Sequence, residues 1–269
     1  MPDRYWTDVS DPRLAAMHLL EFGADICDPL APYLEVDRSS PRHECWVTGH
    51  MVAGLDGTAA VGGRVGALST RPDQELFRRM RQIADIVLVG AETVRREGYG
   101  AIRLTEEAQA RRRELGKPAT PPVAVVSRSL ELDRTASVFA DAPEHAPTVV
   151  VTCAGADRGR RAEVEEFATV IVAGDDRVDP IEAMRALSAR GYDVVLCEGG
   201  PTWLGELVAA DRLDELLLSI SPMMGGDPLP VAVTPEGAGI ARFELKGIMA
   251  EENTLFLRYE AEVGEGADR

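Results

Sequence analysis

The chain has 269 residues, 45% hydrophobic and 28% charged, a balance that supports a folded core and excludes the low-hydrophobicity signature of disorder. Its formal net charge of −16 repels nucleic-acid phosphates and anionic lipid alike, so neither nucleic acid nor membrane is expected as a partner. No apolar run approaches ~18 residues and the start is acidic and polar, which points to a cytoplasmic protein with a small-molecule substrate.

Residues 1–42 read as an N-terminal extension rich in Asp and Pro, with one short helix over "LAAMHLLEFG" (14–23). Cys27, Cys45, Cys153 and Cys197 lie far apart with no C-x-x-C pair, and read as buried reduced thiols. From Cys45 onward strand-like runs at 45–53, 85–90, 123–127, 148–152, 168–173 and 193–198 alternate with helical patterns. Most of these runs are continuous rather than alternating, as suits strands covered on both faces. Helices are predicted over 72–84, 92–98, 106–116, 160–168 and 180–191, several with apolar residues three and four apart and some ending at glycine. A helix over 202–213, a strand over 215–222, a Gly/Pro-rich turn and a strand pair at 242–251 and 253–262, joined at Glu252-Asn253, complete the chain. The fold class is α/β: three layers, a mostly parallel sheet with helices on both faces, and an antiparallel C-terminal pair. No linker or internal repeat divides it, so one domain is expected over 43–263, with a disordered tail at 264–269.

Ligands of such a sheet collect beyond the carboxyl ends of the strands, where loops lead into helix N-termini. Four junctions there carry chemistry. In "VLVGAETVR", Gly90 permits close approach to the backbone, and the Thr93 hydroxyl with neighbouring amides suits a phosphate or serves only as a helix cap. In "VVSRSLELD", Ser127 and Arg128 place a hydroxyl beside a guanidinium, a grip suited to the extra phosphate of NADP, although a loop arginine is more often merely solvated. In "VVLCEGGPTWLGEL", Gly199 and Gly200 precede a helix whose dipole favours a diphosphate, and Glu198 can accept from a ligand hydroxyl or amine; the bland alternative is a glycine turn. In "MVAGLDGTAAVGG", Asp56 lies in an Asp-Gly turn and is placed either to orient a substrate or to shape that turn. No G-x-G-x-x-G occurs, which argues against a standard Rossmann cofactor site.

Taken in order, "GLDG" (54–57), "MRQIADIVLVGAETV" (80–94), "VSRS" (126–129) and "CEGGPTWLGELVAADRLDELLLSISPMMGG" (197–226) resemble the reductase domain of the riboflavin-biosynthesis deaminase-reductases. The resemblance spans roughly Cys45 to Tyr259. It implies a dihydrofolate-reductase-like fold, a homodimer, and NADPH as cofactor for hydride transfer to the anomeric carbon of a phosphoribosylamino-pyrimidine. It also implies cofactor contacts at Gly90, Thr93, Val94, Ser127, Arg128, Gly199, Gly200, Pro201 and Thr202. Asp56 and Glu198 are implied as the catalytic acids, and His50, Gly54, Ser69, Arg71 and Arg103 as substrate contacts. The deaminase half, with its H-x-E and P-C-x-x-C, has no counterpart, so this is expected to be a stand-alone reductase without zinc chemistry. Three departures stand out: His50 where the family often has lysine, Gly54 where it has serine, and Gln74 near its helix arginine. They keep two alternatives in view, a reductase of dihydrofolate or another pterin-like ring and a non-catalytic nucleotide-binding homologue. The proton donor is open among His50, Asp56, Glu198 and water.

Overall fold

Runs of valine, isoleucine and leucine have few ways to bury both faces except inside a sheet flanked by helices. In the computed structural model, which describes residues 25–26, 28–39 and 41–262, they form β1 (Trp46–Ala53), β2 (Ile86–Gly90), β3 (Val123–Val126), β4 (Val149–Thr152), β5 (Thr169–Val172), β6 (Val194–Cys197) and β7 (Glu215–Ile220). These seven are parallel, and β8 (Phe243–Glu251) and β9 (Thr254–Ala261) close the chain as an antiparallel hairpin. The sheet order is β5-β4-β3-β2-β6-β1-β7-β9-β8, with β9 antiparallel to β7. Glu252 and Asn253 both take positive φ, 49° and 64°, at the hairpin turn. The expected architecture is therefore present. The short helix expected over 14–23, Cys27 and the tail at 264–269 lie outside the described residues.

The helices are α1 (Ala31–Leu34), α2 (Arg71–Met80), α3 (Ala91–Glu97), α4 (Glu106–Glu114), α5 (Ser137–Ala140), α6 (Arg158–Glu165), α7 (Pro180–Ser188) and α8 (Pro201–Ala209). Short α1 and α5 carry no periodic signal and were not expected. The largest shortfalls against the sequence pattern are at the ends of α2 and α8, which stop at Met80 and Ala209. The buried Arg112 guanidinium donates to the carbonyls of Gln82 (3.0 Å) and Ala84 (2.6 Å), and so captures the chain as it leaves α2. Asp211 (φ 54°) turns the chain left-handed after α8, and the Arg212 amide bonds back to Leu207 O at 2.8 Å.

Val87, Leu88 and Val89 of β2 are fully buried, as strands covered on both faces must be. The expectation fails at β5, which is an edge strand and leaves Val172 46% exposed. Cys45, Cys153 and Cys197 are buried free thiols, as expected. The described end of the N-terminal extension belongs to the core, where Leu30 and Tyr33 are packed. Arg38 reaches fully buried Glu215 of β7 at 2.9 Å, and the same carboxylate accepts from Thr48 Oγ1 (2.7 Å) and Arg258 Nε (2.6 Å). One buried charge thus joins the extension, β1, β7 and β9.

Gly205 lies on the buried face of α8, against the backbone of residues 233–234. A Cβ there would stand 1.9 Å from the Val233 carbonyl oxygen, so Gly205→Ala must push two backbones apart. Overpacking of this kind costs roughly 1–3 kcal/mol. Urea unfolding is expected to show that loss as a lower midpoint; an unchanged midpoint would mean that the 233–234 segment gives way freely.

Candidate active site

Six parallel strands deliver their carboxyl ends to one cavity of about 860 Å³. β6 is inserted between β1 and β2, so the chain order reverses here, and this is where an open α/β sheet offers a crevice. His50, Met51 and Val52 come from β1, Gly90 to Thr93 from the β2–α3 junction, and Val126 to Ser129 from the end of β3. Gly155 to Asp157 and Arg160 follow β4, Arg177 and Val178 follow β5, and Glu198 to Trp203 run from β6 into α8.

The backbone between β6 and α8 is set by Gly199 (φ 132°) and Gly200 (φ 88°), conformations that side-chain-bearing residues rarely adopt. The Gly90 amide donates to Gly199 O at 3.3 Å, which brings the ends of β2 and β6 together. A Cβ on Gly199 or Gly200 would meet the Thr93 side chain at 3.4 or 3.5 Å. Helix α8 begins at this point with no side-chain cap on its N-terminus, so its first amides are free to serve an anion.

Five arginines line the cavity, and four of them, Arg95, Arg96, Arg160 and Arg177, are paired with carboxylates. They come from α3 (Arg95, Arg96), from α6 (Arg160) and from the loops after β3 (Arg128) and β5 (Arg177), on a chain of net charge −16. Arg160 donates to the Ser129 carbonyl at 3.0 Å and to Glu131 at 2.9 Å, which places a second arginine beside the Ser127-Arg128 turn. Ser127 is buried and its Oγ accepts from the Leu130 amide at 3.1 Å, while Arg128 is exposed.

Glu198 and His50 line the same cavity. Arg81, immediately after α2, grips the buried Glu198 carboxylate through Nε (2.8 Å) and Nη2 (2.7 Å), and the Tyr99 hydroxyl donates to Glu198 Oε2. Burial alone would lower the Arg81 pKa, but the Glu198 charge and its hydrogen bonds carry it above the ordinary arginine value. Burial, then the Glu198 charge, pushes the Tyr99 phenol well above its usual value. Both groups therefore keep their protons. The Arg81 guanidinium also lies over the Phe77 and Tyr99 rings, 5.2 and 5.3 Å from their centroids.

His50 is buried to 1% exposure, its ring packs 4.7 Å from Phe77 centroid to centroid, and neither ring nitrogen has a hydrogen-bond partner among the described residues. Burial lowers its pKa; the charges of Asp73 and Glu198 oppose that shift, and Arg81 adds to it.

Of the residues singled out from sequence, His50, Gly90, Thr93, Ser127, Arg128, Glu198, Gly199, Gly200, Pro201 and Thr202 border this one cavity. Six others do not line it. Val94 is buried in the hydrophobic core beneath α3. Asp56 is exposed, and its carboxylate accepts from the amides of Gly225 (2.7 Å) and Thr58 (3.2 Å), which hold its pKa below the usual range. Gly54 packs against the Met223 carbonyl in the same clasp between the loops after β1 and β7. Ser69 donates to Asp73 at 2.5 Å, exposed Arg71 opens α2, and Arg103 is 78% exposed at 3.9 Å from Asp141.

Residues that sequence reasoning passed over are Asp73, Phe77, Arg81, Tyr99, Arg160 and Arg177. A buried acid at a strand end needs a counter-ion, and that requirement is the signal by which an arginine such as Arg81 could be sought. Arg160 and Arg177 follow strands whose ends, although they carry Gly155 and Gly174, were not singled out. Arg81→Met leaves Glu198 as an uncompensated buried charge and is expected to lower stability by about 3–5 kcal/mol in urea unfolding at neutral pH. A loss below ~1 kcal/mol would show that water reaches the carboxylate.

A family model described as the RibD C-terminal domain matches residues 45–257. The 2,5-diamino-6-ribosylamino-4(3H)-pyrimidinone 5′-phosphate reductase of Methanothermobacter thermautotrophicus is 30% identical over 210 residues, covering 76% of this chain and 93% of that protein. The reductase of the same name from Archaeoglobus fulgidus is 26% identical over 189 residues, covering 70% and 85%. Among solved structures, a pyrimidine reductase-like protein from Corynebacterium diphtheriae superposes with a TM-score of 0.75 at 26% identity, covering 88% of this chain and 96% of that one.

Proposed function

The chain belongs to the RibD C-terminal domain family, and from that premise we propose that it is an NADPH-dependent reductase acting on a phosphoribosylamino-pyrimidine of riboflavin biosynthesis. Its relatives of nearly equal length are reductases by name, which supports an oxidoreductase rather than a binding module. The single observation that carries the cofactor reading is the cavity itself, a pocket lined by arginines, with an uncapped helix N-terminus beside positive-φ glycines.

A reduced nicotinamide dinucleotide, when bound, supplies the hydride. The residues present fit such a group. Gly199, Gly200 and the first amides of α8, with the Thr93 hydroxyl beside them, would hold the diphosphate. Ser127 and Arg128, joined by Arg160, would hold the adenosine 2′-phosphate that separates NADPH from NADH. Glu198, fixed by Arg81 and Tyr99, offers a rigid acceptor for a substrate hydroxyl or amine at the other end, and apolar Met51, Phe77 and Leu229 keep water away. The unpaired edge of β8, which exposes Leu245 and Ile248, supports a homodimer.

Two measurements test this reading. Purified protein is expected to oxidise NADPH in the presence of the phosphoribosylamino-pyrimidine, and not with dihydrofolate. Arg128→Ala is expected to weaken NADPH binding by roughly ten-fold or more, as loss of a charge-assisted hydrogen bond does, while leaving NADH binding nearly unchanged. Equal affinity of the unaltered protein for both dinucleotides would remove the phosphate role of Ser127, Arg128 and Arg160.

A further inference from the structure

Reduction of the anomeric carbon consumes a proton as well as a hydride. The ribosylamine opens to a C=N bond as the anomeric C–O bond breaks and the amine proton passes to the ring oxygen; hydride then adds to the carbon, the π pair moves to nitrogen, and nitrogen takes up one proton. Sequence leaves the source of that proton open among His50, Asp56, Glu198 and water.

The geometry removes two of these. Asp56 does not line the cavity, and two backbone amides hold its carboxylate in the ionised form. Glu198 lines it, but both of its oxygens are already engaged as acceptors, from Arg81 Nε and Nη2 and from the Tyr99 hydroxyl. His50 differs from both. It lies on β1 at the cavity, is buried, and has both nitrogens unpartnered among the described residues. An unmade hydrogen bond at a buried polar atom is costly, and a ligand atom at this site relieves that cost.

Asp73 lies one turn before Phe77 on the same face of α2, and the Phe77 ring packs on this imidazole. Asp73 is 2% exposed in the first turn of α2 and does not reach the cavity. Its Oδ2 accepts from the Ser69 hydroxyl at 2.5 Å, and its Oδ1 has no partner among the described residues. Ser69 is half-buried, which gives the acid a hydroxyl link toward solvent.

We propose that His50 is the proton donor of the reduction, and that Asp73 is its positioning residue, linked through Ser69 to the surface. The step balances: hydride goes to carbon, the π pair to nitrogen, a proton from the imidazolium to that nitrogen, and neutral imidazole remains to be reprotonated. This rests on the reductase reading above.

The charged groups acting on His50 are Asp73 of α2, Glu198 after β6, Arg81 after α2 and Glu215 of β7; burial outweighs them and sets its pKa below the ordinary 6.5. Only below that depressed pKa is the imidazole charged. The proton-donating form is therefore fully present at low pH and is lost as pH rises through it.

The test combines NMR titration of the His50 imidazole in the intact protein with stopped-flow nicotinamide oxidation across pH. The expected result is one descending limb in the rate at the pH where His50 titrates. Asp73→Asn should move both to lower pH, and His50→Lys should move the rate limb higher. His50→Gln should remove the limb and slow the step by about 100-fold or more, with kcat affected more than KM. A His50→Gln protein that keeps the limb and the rate overturns the proposal, as does a native imidazole that titrates away from the limb. If His50→Gln does not fold, the native titration and the Asp73→Asn shift decide alone. Failure of the unaltered protein to turn over the pyrimidine is a different result, and it overturns the reductase reading itself.

Discussion

A carboxylate buried at the end of a β-strand is the constraint on which this site depends. Glu198 closes β6, fully covered, where an ion without a partner would cost several kcal/mol. Arg81 and Tyr99 converge on it from the exits of α2 and α3, and Arg112 shapes the α2 exit by capturing the carbonyls of Gln82 and Ala84. The charge therefore fixes how two crossover helices return to the sheet. It also fixes the inner wall of the cavity, because Phe77 is held between the Arg81 guanidinium and the His50 ring.

The sheet order turns that local anchor into a pocket. With β6 between β1 and β2, the strand ends bearing His50, Gly90 and Glu198 become neighbours although some 150 residues of chain separate the first from the last. The ends of β3, β4 and β5 extend the floor outward and bring Arg128, Arg160 and Arg177 with them. The arginines thus come from strand ends on one side of the crossover, while Glu198 and His50 come from β6 and β1.

Much of this was legible beforehand for a physical reason. Strand periodicity, glycines needing positive φ and hydroxyl-arginine turns are local properties, so Gly90, Ser127, Arg128, Gly199 and Gly200 could be found one junction at a time. Helix ends were less legible: α2 stops at Met80 because of a side chain from α4, about thirty residues away. Arg71, Arg103 and Asp56 show the converse: their chemistry suited a substrate, and the chain places them at the surface or in a loop clasp away from the cavity.

The sequence by itself determined the alternation of strands and helices, the glycine seat at the start of α8 and the family, because each is carried by short-range pattern. Tertiary structure alone decided that Glu198 is held by Arg81 and Tyr99, that Arg160 joins Arg128, and that the face of α2 bearing Asp73 and Phe77 packs on His50. Those pairings follow from the order in which strands are laid side by side and from the cost of burying a charge alone, and neither can be read along a single stretch of chain.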